Sequence, residues 1–153
     1  MGNYGQYPNH FIKDKDNLLT FNQWSCGDYN RSFNGITISS STYVQLSTNY
    51  SVNGDYSFKC APVSGEYGII KISFNFDNTK TYMITAKCKN KISGATLGVR
   101  IDDATTYSVN LPVSDSFQTV SLSFTPSTEN WIVFRTYNSN QLLYIDDIEL
   151  RIQ

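Results

Sequence analysis

A chain of 153 residues with a net charge of −1 suits one domain that buries its own core, and the near-neutral balance implies no polyanion and no acidic membrane partner. No basic patch announces nucleic acid, no apolar run reaches bilayer length, and the opening residues lack the basic and apolar regions of a signal peptide. The 11 Tyr and 9 Phe, set among abundant Ser, Thr and Asn, are the profile of strands and polar loops, and of proteins that meet sugars or other polar surfaces.

In chain order, residues 1–16 read as a polar lead and residues 17–153 as a single β-sandwich domain. Asn17-Leu18-Leu19-Thr20-Phe21 predicts a short first strand, followed closely by Trp24. Ile36-Thr37-Ile38 and Tyr43-Val44-Gln45-Leu46 predict two more. The turn signal Asn53-Gly54-Asp55 leads into a strand over Tyr56–Cys60. Gly68–Phe76 is the next strand. Thr81–Lys89 alternates cleanly, with Tyr82, Ile84, Ala86 and Cys88 facing one way and Thr85 and Lys87 the other. Ala95–Asp102 repeats the pattern and sends Arg100 and Asp102 outward. A weaker strand, Thr106–Leu111, precedes Pro112, and Phe117–Thr125 and Asn130–Tyr137 are two more strong ones. Short alternating segments spaced by turns, without an amphipathic helix, predict an all-β, antiparallel two-sheet sandwich.

The chain closes on Gln141–Ile152, a strand expected in the interior of its sheet. In strict alternation Asp146 shares a face with Tyr144, Ile148 and Leu150, the predicted core face. A carboxylate there must be compensated. A bound Ca²⁺ would do it, since hard cations take oxygen ligands. So would contact with solvent or with backbone N–H groups, and both readings stand at this point.

Chemistry for catalysis is sparse. His10 is the only histidine and lies in the polar lead, out of place for a nucleophile–base pair. There is no glycine-rich phosphate loop and no HExxH, and no spacing singles out a pair of carboxylates. The reading is that the protein is not an enzyme. Cys26, Cys60 and Cys88 match no zinc spacing, and Cys60 and Cys88 alternate with core residues as small buried hydrophobes, with a Cys60–Cys88 disulfide as the alternative.

Four stretches in order carry a resemblance: Asn17-Leu18-Leu19 with Trp24 behind it; Gly54-Asp55-Tyr56-Ser57-Phe58-Lys59; Lys80–Lys87; and Leu143–Leu150. With them the chain resembles the jelly-roll carbohydrate-binding modules of families four, nine and twenty-two, in the galactose-binding-like group. The resemblance implies a jelly-roll sandwich that binds a polysaccharide or cell-surface glycan without catalysis. It also implies a structural Ca²⁺ held by Asp146 and the backbone carbonyl of Lys59. The chain departs from the family at Thr20-Phe21-Asn22-Gln23-Trp24, where the usual glutamate ligand is missing.

Such modules stack aromatic rings on sugars and set polar side chains on hydroxyls. With Ile132 and Phe134 in the core, the outward side of Asn130–Tyr137 carries Trp131, Arg135 and Tyr137. With Arg100 and Asp102 these make the predicted ligand platform. The alternative is that Trp131 caps the core at the sandwich edge and that the arginines pair with Asp102 or Asp103. The competing functional class is a structural or adhesive module of a phage tail, virion or microbial surface protein, docked on another chain or a host glycan. Either class implies an extracellular, cell-surface or virion-associated location, and partners that include other domains of a larger polypeptide, without membrane insertion.

Overall fold

A computed structural model describes residues 16–20, 36–52, 54–63, 65–101, 104–137 and 141–153. Ten strands are described: β1 (Ile36–Ile38), β2 (Val44–Ser47), β3 (Ser57–Cys60), β4 (Tyr67–Ser73), β5 (Tyr82–Asn90), β6 (Thr96–Ile101), β7 (Ala104–Asn110), β8 (Ser114–Phe124), β9 (Trp131–Tyr137) and β10 (Leu143–Ile152). They form two five-stranded sheets. The first has the order β1-β4-β9-β6-β7 and the second β2-β3-β10-β5-β8, with antiparallel pairing throughout. This is the jelly-roll sandwich expected from the alternation, and the closing strand β10 is the central strand of its sheet.

The alternation does the work of the core. In β5 the buried positions Tyr82, Ile84, Ala86, Cys88 and Asn90 alternate with half-buried ones. The inward residues of the two sheets meet in one cluster, whose largest members include Phe58, Phe134, Ile70, Ile84, Leu97 and Ile145. At one end Phe76 packs edge-on against Tyr82 and Phe124, at 5.1 Å each, and the Tyr82 hydroxyl accepts the Asp77 N–H at 2.9 Å.

Two expectations are corrected. Residues 17–20, the described part of the expected first strand, are not a strand. Asn17 instead clamps the chain onto β10: its Nδ2 donates to the Ile148 carbonyl at 3.0 Å, and its Oδ1 accepts from Leu150 N at 3.0 Å and Leu19 N at 3.1 Å. One buried amide thus satisfies three backbone groups that a strand ladder would otherwise serve. Trp24 and Cys26 lie outside the described residues.

The second correction concerns the facing of Asp146. The pairing of β10 with β5 slips between Asp146 and Glu149, where β10 carries one extra residue. Asp147 sits in this bulge with φ of 51°, a left-handed conformation that Asp tolerates better than most residues. The extra residue breaks the alternation. Leu143 and Ile145 face the core before the bulge, and Ile148 and Leu150 face it after. Tyr144 and Asp146, opposite Lys89 and Lys87, therefore lie on the outer face of the second sheet with Glu149 and Arg151.

Cys60 and Cys88 are buried free thiols. They stand on β3 and β5 with β10 between them. Two strand spacings are about 10 Å, beyond disulfide reach. Burial pushes each thiol pKa up to about 12.

Candidate functional site

The outward side of the first sheet is set by its register. Trp131 lies opposite Ser73 on β4 and Arg100 on β6; Val133 opposite Lys71 and Gly98; Arg135 opposite Ile69 and Thr96; Tyr137 opposite Tyr67. Directly opposed residues of an antiparallel pair point to the same side. The sheet thus brings Arg100, Trp131, Arg135 and Tyr137 onto one face, as the alternation predicts, and adds Tyr67 and Lys71. Asp102 and Asp103 lie outside the described residues.

The face has two aromatic centres. Tyr67 and Tyr137 stack with ring centroids 4.3 Å apart and an interplanar angle of 29°, and the Arg135 guanidinium lies 4.4 Å from the Tyr67 centroid. Both rings are open to solvent, at 38% and 48% exposure. At the other centre the Lys71 ammonium lies 5.7 Å from the Trp131 ring. Each cation over a ring contributes about 0.5–1 kcal/mol where exposed, and holds the ring at a defined angle. Trp131 and Arg135 are half-buried, whereas Arg100 and Val133 are buried. Among the described residues the hydrophobic core cluster does not include Trp131.

Tyr67 and Lys71 were not among the residues singled out by sequence. The sequence reading starts β4 at Gly68, one residue past Tyr67, and assigns that strand no faces. The alternation of Ile70 and Ile72 with Lys71 is the signal that finds both.

At the mouth of β9, Glu129 is buried and accepts from Ser127 N at 2.6 Å and Thr128 N at 3.1 Å. Burial pushes its pKa up, but hydrogen bonds from the Thr106 side chain and these backbone groups outweigh it, and the carboxyl is held below its ordinary value.

The predicted metal ligands sit on the second sheet. Asp146 is 1% exposed although it faces away from the core. The loop between β2 and β3 covers it: Tyr50 packs edge-on against Tyr144 at 4.9 Å, the Lys89 ammonium lies 4.0 Å from the Tyr50 ring, and Val52 N donates to Asp146 Oδ2 at 2.6 Å. Asp147 N donates to Oδ1 at 2.7 Å. Both carboxylate oxygens therefore accept backbone N–H groups, one of the two compensations open from sequence. Lys59 pairs with Tyr144 on one side and Gln45 on the other, inside the ladder and two positions from Asp146 along β10. Among the described residues no three His, Cys, Asp or Glu side chains gather as metal ligands.

No protein-family model matches the sequence, and no curated protein matches it. Solved structures do match the fold. The enzymatically active domain of Bacteriophage CBA120 tailspike protein 4 matches 90% of this chain with a TM-score of 0.71 and 15% identity, and the match covers 22% of that chain, so this protein spans about a fifth of its length. TmCBM61, solved with β-1,4-galactotriose, matches 90% of this chain and 99% of its own, with a TM-score of 0.61 and 12% identity. A family 16 carbohydrate-binding module matches 74% and 89%, with a TM-score of 0.56 and 20% identity. The fold is thus that of several carbohydrate-binding modules and of a part of a phage tailspike.

Proposed function

We propose that this protein is a non-catalytic carbohydrate-binding module of the family 4/9/22 type that holds a polysaccharide or surface glycan on the outward face of its first sheet. The observation that carries the reading is the gathering of Trp131, Tyr137 and Tyr67 on that face, with Arg135 and Arg100 beside them. Apolar sugar faces stack on the rings, and the guanidinium groups donate to ring oxygens and hydroxyls. The likeness of the fold to several carbohydrate-binding modules supports it. A glycan-array screen of the full chain tests it: wild type is retained on at least one glycan class and Trp131→Ala is not. Retention of the folded variant at wild-type level overturns the assignment of the face.

A second reading has its own support. The tailspike match extends over 90% of the chain, so a structural or adhesive module of a virion or surface protein is the alternative. There the same face docks on another chain or on a host glycan. Binding to a neighbouring protein domain with no glycan binding favours this alternative.

A structural calcium at Asp146 and the Lys59 carbonyl is a separate proposal. It is carried by the family resemblance, and its support here is the single buried carboxylate of Asp146.

A further inference from the structure

The two sheets differ in charge. The five strands of the first sheet contain Lys71, Arg100 and Arg135 and not one Asp or Glu. The five strands of the second contain Lys59, Lys87, Lys89 and Arg151 against Asp115, Asp146, Asp147 and Glu149, four against four. The net charge of −1 therefore hides a segregation that only the pairing of strands reveals. All three cations of the first sheet lie on its outward side, grouped around β9: Arg135 on it, Arg100 on β6 to one side and Lys71 on β4 to the other. Of the nearby acids among the described residues, Glu129 is buried and turned onto its own loop, and exposed Glu66 precedes β4; Asp102 and Asp103, after β6, lie outside the described residues.

From this we infer that the glycan held on the first sheet is acidic, bearing carboxylate or sulfate groups. The inference rests on the glycan-binding reading of that face and sharpens it. A neutral sugar needs rings and neutral hydrogen-bonding groups. The strands of this face hold no acid, and although Arg100 is buried, half-buried Arg135 and Lys71 offer charge-assisted hydrogen bonds to an anion. Arg135 is placed for this role. Its guanidinium lies 4.4 Å from the Tyr67 centroid, at the aromatic centre of the face, where it can donate to an acidic substituent of a sugar bound there. Among the described residues no carboxylate pairs with Arg135 in an ion pair.

The test is direct binding of the full chain to four immobilised polymers and one control. The polymers are polygalacturonate, its carboxyl-reduced uncharged counterpart, dextran sulfate and dextran; the control is a single-stranded DNA oligonucleotide. At least one anionic polymer binds about tenfold or more tightly than its uncharged counterpart, the loss expected from one charge-assisted hydrogen bond. Added salt weakens that binding. Arg135→Gln and Lys71→Gln reduce the preference, Arg135→Lys retains part of it, and Lys87→Gln on the second sheet leaves it unchanged. Preference for polygalacturonate identifies a carboxylate ligand, and preference for dextran sulfate a sulfated one. Equal affinity for charged and uncharged polymers overturns the inference and leaves the glycan reading standing. DNA bound as tightly as the anionic polymers overturns it by removing the sugar from the recognition. No binding to any polymer overturns the inference, and the glycan-array screen then decides the glycan reading separately. Melting curves of the variants establish that each is folded, and a folded Arg135→Gln protein with an unchanged preference also overturns it.

Discussion

The carboxylate of Asp146 accepts the backbone N–H of Val52 at 2.6 Å, joining the bulge of the central strand to a loop 94 residues earlier in the chain. A charged group on the outer face of a sheet is kept 99% covered because the loop brings its own N–H to meet it. Asp146→Ala leaves that donor and the Asp147 N–H without their acceptor. The expected loss is about 1–3 kcal/mol in urea denaturation, with the lower end reached if water enters beneath Val52. A loss below 0.5 kcal/mol, the scale of a featureless surface site, counts against the tie.

Calcium is tested on the same residue. An ion bound at Asp146 in the folded state raises the melting temperature as its concentration increases, and a chelator reverses the rise. Asp146→Ala removes this response. A melting curve identical in calcium and in chelator counts against a calcium site at Asp146.

Asn17 is expected to matter more than its place near the polar lead suggests. Asn17→Ala removes an acceptor for Leu150 N and a donor to the Ile148 carbonyl, both buried. Unsatisfied groups of this kind cost about 1–3 kcal/mol each, so the chemical denaturation midpoint falls well below that of wild type. An unchanged midpoint shows that the clamp is not part of the cooperative fold.

Trp131→Ala separates two structural roles. On the outward face it costs about 1 kcal/mol or less, beyond its contact with Lys71. A loss of about 3–5 kcal/mol is the signature of a core tryptophan. The measurement is denaturation of the variant alongside its glycan binding. A strongly destabilised variant that binds normally when folded transfers the platform elsewhere.

Two pH limits follow from buried groups. Cys60 and Cys88 stay protonated in the folded protein up to about pH 12, while unfolded thiols ionise near their ordinary value. The unfolded state therefore binds fewer protons above that value, and stability falls as pH rises through the window up to about 12, by at most about 1.4 kcal/mol per pH unit for each thiol. A thiol reagent at neutral pH labels them only on unfolding. At the acid end the sign is reversed. Glu129 is held below its ordinary value, so its contribution is present at neutral pH and is lost as pH falls through the folded-state value. Glu129→Gln flattens that part of the acid profile. An acid profile that does not change on this substitution assigns the loss to other carboxylates.

What the sequence determined by itself is the alternation. Period-two patterning places Ile132 and Phe134 inside and Trp131, Arg135 and Tyr137 outside from β9 alone, because a pleated strand allows no other arrangement. The same regularity made the two-sheet fold legible and the burial of Cys60 and Cys88 with it. Tertiary structure decided what alternation cannot carry across a break or between strands. One extra residue in the β10 bulge turned Asp146 from the core to the outer face, and single-sequence periodicity has no mark for an insertion that pairing alone defines. Strand order decided the site. Tyr67 and Tyr137 are 70 residues apart in sequence and their ring centroids are 4.3 Å apart because β4 pairs with β9, and the same pairing sets Lys71 and Arg135 on one face of a sheet whose strands hold no Asp or Glu, in a chain whose charge sums almost to zero. Net charge adds over the whole chain, whereas a ligand meets only the face that the sheet assembles.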